Sequence, residues 1–167
     1  MKFKIVRISE LSQNELDLSF EIIKNNMIEL GYAVSEKDKE IWCINLKKHF
    51  FNNQFYFYLV LLNSEIVGFV ELIDNKEYLF LSEIQLSTKV KQTRVLLYIL
   101  QYLFECEEFK KFDSLYFTIL KINKMSNKTF VHLGGELVEE LKTKNRYKIT
   151  REKVANYLKK FKTKSKY

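Results

Sequence analysis

The chain reads as an α/β protein in which helices pack on a largely antiparallel sheet. Three observations predict this class. Apolar residues make up 47% of the 167 and aromatics 15%, enough for a core in a single domain. Their spacing switches repeatedly between alternation or short apolar runs, which mark strands, and recurrence at three and four residues, which marks helices. Four glycines and no proline leave no room for collagen-like, Pro-rich or Gly/Ser-linker segments.

Residues 2–8 set Phe3, Ile5 and Ile8 against polar neighbours, a strand pattern. Ser12 and Glu15 have capping-box spacing. Leu16, Phe20, Ile23, Met27 and Leu30 then recur at helical intervals up to Gly31, which suits a left-handed cap. Ser35 to Asp38 opens a second helix, with Ile41, Ile44 or Leu46, and Phe50 expected on its inner side. Residues 54–62, QFYFYLVLL, read as a buried strand. Asn63-Ser64 turns the chain, and Glu65 to Ile73 returns to complete a hairpin. After a turn at Asp74 to Glu77 comes a strand from Tyr78 to Leu86.

The polar stretch Ser87 to Thr93 leads into a helix from Arg94 to about Glu108. It is apolar on more than one face through Leu96, Leu97, Ile99, Leu100, Leu103 and Phe104, and so should be buried. Ser114 to Leu120 is a further strand. Asn123 or Ser126 caps a short helix that ends at Gly134-Gly135. Leu137 to Leu141 and Arg146 to Ile149 form a last hairpin around Thr143 to Asn145. After Thr150, Val154, Tyr157, Leu158 and Phe161 share one helical stripe, which predicts a docked terminal helix with a fraying end.

Charge is unevenly distributed. The net charge is +7, yet residues 142–167 hold eleven Lys/Arg against one acid, Glu152, so the basicity belongs to the C-terminal end. Such a segment is usually a solvated Lys-rich surface and is also able to meet a polyanion. No run of about 18 apolar residues exists and the first residues lack an apolar leader stretch, so a soluble, cytoplasmic protein is expected. Cys43 and Cys106 lie in helix-like segments, Cys106 between Phe104 and Phe109 as core filling. His49 and His132 stand without ligand-spaced partners, so no disulfide framework or metal site follows.

Two local patterns carry a family resemblance. Asn123 is followed by Phe130 at seven residues, Leu133 at ten and Gly134 at eleven, with Gly135 next and a terminal hairpin through Asn145-Arg-Tyr-Lys-Ile149. The strand end at Leu86 is followed by Lys91, Gln92, Thr93, Arg94, Val95 and Leu96 at a helix start. With the element order, these make the chain resemble the GNAT superfamily of acyl-CoA-dependent N-acetyltransferases over roughly residues 2–149. In that family Lys91 stands at an Arg/Gln position and Arg94 and Leu96 replace two glycines. Gly135 replaces an aromatic. The resemblance implies a GNAT-like sheet of about six or seven strands flanked by helices, formed by residues 1–149, with residues 150–167 as a basic helix and tail on the same domain.

The resemblance also implies acetyl-CoA as acyl donor and a primary amine as acceptor. Leu86, Lys91, Gln92, Thr93, Arg94, Val95, Leu96, Asn123 and Phe130 are the donor-binding positions. Pyrophosphate binding rests on backbone N–H groups at a helix start, to which Lys91 and Arg94 can add charge. Glu83, three residues before Leu86, is the general-base position, with Gln85 on the same face and Glu71 as the alternative. Phe130 stands at the acid position and has no proton to give, which leaves Tyr98, Tyr116, His132 and Tyr147 open. A catalytically degenerate GNAT-fold binding protein, associated with nucleic acid or ribosome through the basic end, is the alternative reading. No membrane contact is expected, and monomer and homodimer both remain open.

Overall fold

The computed structural model describes residues 3–91 and 94–164, with side chains to Lys159. The elements run β1 (Phe3–Ile8), α1 (Gln13–Glu29), α2 (Glu36–Phe50), β2 (Phe55–Leu62), β3 (Glu65–Asp74), β4 (Leu79–Leu86) and α3 (Val95–Glu105). They continue with β5 (Ser114–Leu120), α4 (Lys124–His132), β6 (Glu136–Glu140), β7 (Lys144–Thr150) and α5 (Arg151–Lys164). The seven strands form one mixed sheet in the order β1-β2-β3-β4-β5-β7-β6. β4 and β5 pair in parallel, over Leu79–Leu81 against Leu115–Phe117. β1 with β2, β2 with β3, β5 with β7 and β6 with β7 pair antiparallel. Among the described residues no helix is long and apolar enough to cross a membrane.

The chain divides into two compact units. The first comprises Met1–Ile73 and Ser82–Thr93. Its first helix starts with the expected capping box, Ser12 with Glu15, and the second, opened by Ser35 as expected, also closes a box with Asp38. Asn63 and Ser64 both take positive φ, the twist a two-residue hairpin turn requires. Leu16, Phe20, Ile23, Leu46, Phe55, Phe57, Leu59 and Phe69 form the core, with Trp42 set between Phe20 (5.8 Å) and Phe69 (5.9 Å). Phe55, Phe57 and Leu59 alternate along β2, so the helices cover one face of the strand.

Here α2 differs from expectation. Leu46 and Phe50 face the core as expected, but Ile41 and Ile44 are half exposed and Trp42 and Cys43 take the inner side in their place. Both stripes are apolar, and the indole ring fills the space between Phe20 and Phe69.

The second unit comprises Asp74–Leu81 and Arg94–Tyr167. Phe117 of β5 packs against Phe130 of α4 at 4.3 Å and stacks on Tyr147 of β7 at 5.6 Å. Helix α3 ends at Glu105 rather than near Glu108, because Cys106 turns to extended geometry (ψ 131°). A 3-10 turn, Glu107–Phe109, then carries Phe109 into the core. Cys106 is thus a half-buried cap residue rather than filling on a buried helix. The last hairpin also turns earlier than read. Leu141 N–H donates to the Lys144 carbonyl, so Lys144 and Asn145 already belong to β7.

Helix α5 packs on α3 and β7, with Val154 buried. Phe161 lies outside the described side chains. Arg151, its first residue, donates to the carbonyls of Phe104, Phe109 (3.2 Å) and Phe112 (3.0 Å), tying together the end of α3, the 3-10 turn and the approach to β5.

Candidate active site

The site in the first unit is built where β4 runs beside β3. Ser87 N–H donates to the Val67 carbonyl at 2.8 Å, and Gly68 lies directly against Gln85 and Leu86. A Cβ at Gly68 would stand 2.4 Å from the Gln85 carbonyl oxygen and 2.7 Å from a Leu86 methyl. Any side chain there forces the strand end outward. Gly68→Ala should destabilise the chain by about 1–3 kcal/mol, as overpacking does, and displace Gln85. Chemical denaturation checks the first effect; a midpoint equal to wild type would contradict it.

The same course of β3 and β4 brings two carboxyls within electrostatic reach, Glu71 and Glu83. Glu71 is 5% exposed. It pairs in register with fully buried Phe57 of β2 and lies two residues from fully buried Phe69, so it shares the helix-facing side of the strand. Burial, and then the charge of Glu83, push its carboxyl up to about 8.

Glu83 is half-buried and held by a chain of amides. Asn26 of α1 donates through Nδ2 to Gln85 Oε1 (2.6 Å) and to the Leu86 carbonyl (3.2 Å). Gln85 Nε2 in turn donates to Glu83 Oε1 (2.8 Å). That hydrogen bond fixes the orientation of the Glu83 carboxyl.

Asn26 was not legible as a site residue. Its one signal is a polar side chain at i and i+7 with buried Ser19, bordering the apolar stripe of α1. Ser19 Oγ, Asn26 Oδ1 and Ser87 Oγ are all buried without a hydrogen-bond partner.

The loop after β4 starts as a turn, with Val90 and Lys91 N–H groups both donating to the Ser87 carbonyl (3.0 and 3.1 Å). Val90 is fully buried. The Lys91 ammonium pairs with Glu29 at the end of α1. Lys91 therefore closes the turn through its backbone and ties it to α1 through its side chain. Gln92 and Thr93 lie outside the described residues.

In the second unit, Arg94 is the exposed cap residue of α3, ahead of Val95 and Leu96, and its own side chain makes no capping hydrogen bond. Asn123, not Ser126, caps α4: its Oδ1 accepts from the Ser126 N–H at 3.0 Å. Phe130 is 4% exposed, within the core. Gly135 is explained beside it, since a Cβ there would stand 2.8 Å from the Phe130 carbonyl oxygen. Of the residues left open as acids, Tyr147 donates to Asn127 Oδ1 (2.7 Å) and His132 packs edge-on to Tyr157. Tyr116 faces Tyr78 at 4.8 Å with Arg146 over both rings, and Tyr98 is exposed. Among the described residues no group of His, Cys, Asp and Glu has metal-binding geometry.

No sequence-family model matches the chain. No characterised protein matches it in sequence either. Solved structures do match in shape. The Campylobacter jejuni N-acetyltransferase PseH in complex with acetyl coenzyme A superposes with a TM-score of 0.67 at 18% identity, over 90% of this chain and 99% of that one. The PaiA N-acetyltransferase of Thermoplasma acidophilum in complex with coenzyme A gives 0.71 at 15% identity, over 90% and 99%. FdhC, described as a nucleotide-linked sugar GNAT, gives 0.67 at 16% identity, over 95% and 92%.

The chain has the GNAT fold. Within a GNAT frame, Glu83 and Leu86 fall on the strand that precedes the loop, and Arg94 to Leu96 on the helix start that follows it.

Proposed function

We propose that this chain is an N-acetyltransferase that moves an acetyl group from acetyl-CoA to a primary amine. The observation that carries the reading is Glu83. It is a half-buried carboxylate near the end of β4, oriented by Gln85 and Asn26, in a fold whose solved examples bind acetyl-CoA or coenzyme A. The surroundings fit such a donor. Ser87 Oγ is buried and unpartnered where the loop begins, a hydroxyl able to donate to an anionic group.

Leu86 at the end of β4 in the first unit, and Arg94, Val95 and Leu96 at the start of α3 in the second, are the donor positions that the family resemblance implies. Lys91, engaged with Glu29, sets the loop rather than binding phosphate. Asn123 and Phe130 serve by holding α4 in place. Bound acetyl-CoA supplies an activated thioester. Glu83 removes a proton from the acceptor ammonium so that a neutral amine attacks. Gln85 and Asn26 hold the carboxylate ready to receive it.

Glu83→Gln should lower kcat on the order of 10²-fold and leave acetyl-CoA affinity nearly unchanged, since a base acts in the transition state. Thiol release with a panel of primary amines, and the mass of the product, measure it. An unaltered kcat and pH–rate profile would remove Glu83 from the role. A binding protein without turnover is the second reading, favoured by Phe130, which is buried at the acid position and has no proton to give. Acetyl-CoA bound with no amine acetylated would select it.

A further inference from the structure

The second unit holds a cavity of about 440 Å³ to which the acyl-transfer reading gives no task. Tyr78, Ser114, Tyr116 and Lys148 line it, together with exposed Glu77 and Asp113. Ser114 and Tyr116 are two apart on β5, and Lys148 of β7 pairs in register with Tyr116. Their side chains therefore share one face of the sheet. The alternate residues Leu115, Phe117, Tyr147 and Ile149 are buried on the other face.

One wall is aromatic and fixed. The Tyr78 and Tyr116 rings lie 4.8 Å apart. The Arg146 guanidinium stands 5.6 and 5.5 Å from their centres and donates to the Tyr78 hydroxyl at 3.2 Å. The segments that carry the acids are held as well. Lys111 pairs with Asp74 at 2.6 Å, which ties the turn before β4 to the approach to β5. The Asp113 carbonyl accepts from the Arg151 N–H at 2.9 Å.

The charges that line the cavity do not satisfy one another. Lys111 also lines it, and Asp74 neutralises that residue. Among the described residues Lys148 has only the Tyr116 ring, 5.7 Å from its ammonium. The carboxylates of Glu77 and Asp113 have neither an ion pair nor a hydrogen bond. Two carboxylates and one ammonium thus line the same space uncommitted.

We propose that this cavity binds a diamino acid, a small ligand with two ammonium groups and one carboxylate, of which L-lysine is the simplest probe. Glu77 and Asp113 each take one ammonium. Lys148 takes the carboxylate, and the Ser114 hydroxyl donates to it. The methylene chain lies along Tyr78 and Tyr116. The ligand's net positive charge cancels the net negative charge of the three uncommitted groups. A simple anion would meet two carboxylates, and a plain diamine would leave Lys148 facing a like charge. The volume falls within the range of about 300–1,000 Å³ usual for small-molecule sites. This site does not depend on the acyl-transfer reading.

The test is isothermal calorimetry on the full chain with L-lysine and three probes that each lack one charged group. These are 1,5-diaminopentane without the carboxylate, 6-aminohexanoate without the α-ammonium and L-norleucine without the ε-ammonium. L-lysine should bind at one site, and each of the three should bind about tenfold more weakly or worse, as loss of one charge-assisted bond requires. Lys148→Met should weaken L-lysine by about the same factor and leave 1,5-diaminopentane no weaker, an outcome that a misfolded variant cannot give. Glu77→Gln and Asp113→Asn should weaken L-lysine and 1,5-diaminopentane alike.

Absence of saturable heat with L-lysine at about ten millimolar overturns the site. L-norleucine or 6-aminohexanoate binding as tightly as L-lysine overturns the diamino assignment. Lys148→Met binding L-lysine as the wild type does overturns the placement of the carboxylate.

Discussion

Replacing Arg151 with alanine should lower the unfolding temperature by roughly 10 °C or more. Its guanidinium is held by the carbonyls of Phe104, Phe109 and Phe112 and lies 5.2 Å from the Phe104 ring. Its own N–H donates to the Asp113 carbonyl at 2.9 Å. Truncation orphans several part-buried carbonyls that a charged donor satisfied. Each such bond is worth about 1.5–3 kcal/mol, and the loss as a set is about 3–5 kcal/mol, as for other broken buried charge networks. A chain of this size loses roughly 2–4 °C per kcal/mol. Arg151→Lys keeps the charge but not the planar fork, and should recover less than half of the loss. Thermal unfolding by circular dichroism measures both. A shift of only a degree or two for Arg151→Ala would mean that α5 is not anchored through this residue.

Glu71 should make wild-type stability fall as pH rises. Its folded carboxyl lies at about 8, above the ordinary 4.5. Between those values the folded state holds a proton that the unfolded state has released. The proton count is therefore higher in the folded state, and stability declines with rising pH across that window. The stabilisation is fully present below about pH 4.5 and lost by about pH 8. The size is on the order of 3–5 kcal/mol for a shift this large. Glu71→Gln removes the titration. The difference in unfolding free energy between wild type and variant should swing by that amount in the variant's favour from pH 4.5 to 8. Urea titrations at several pH values read it directly. A difference that stays flat with pH would show that Glu71 ionises normally.

Elements governed by neighbouring residues were legible in the sequence. The capping box at Ser12, the helix start at Ser35 and the turn at Asn63-Ser64 each depend on contacts within a few positions and stand where the spacing put them, while the cap of α4, left between Asn123 and Ser126, is Asn123. Choices made by distant partners were not legible. Helix α2 has two apolar stripes, and the Phe20–Trp42–Phe69 contact selects the one through Trp42 and Leu46.

Arg151 looks like one more basic residue of a basic tail until its partners, about forty positions away, are known. The missing aromatic at Gly135 is a matter of backbone approach to Phe130, which no periodicity encodes. In the site, Glu83 and Gln85 were visible because alternation puts them on one face of a strand. Asn26 was invisible because its role depends on a hydrogen bond to a residue 59 positions on. Glu71 was visible only as an alternative to Glu83, since a strand pattern does not show that its carboxyl is buried beside Phe57 and Phe69.

The central claim is that this GNAT frame, with Arg94 and Leu96 in place of glycines, still binds acetyl-CoA. Isothermal calorimetry of the full chain with acetyl-CoA tests it most directly, with thermal unfolding in the same ligand as the companion reading. The account predicts a saturable one-site isotherm, and a stabilisation of about 2.7 kcal/mol when ligand stands at a hundred times Kd. No heat of binding and no rise in unfolding temperature at millimolar acetyl-CoA would contradict it.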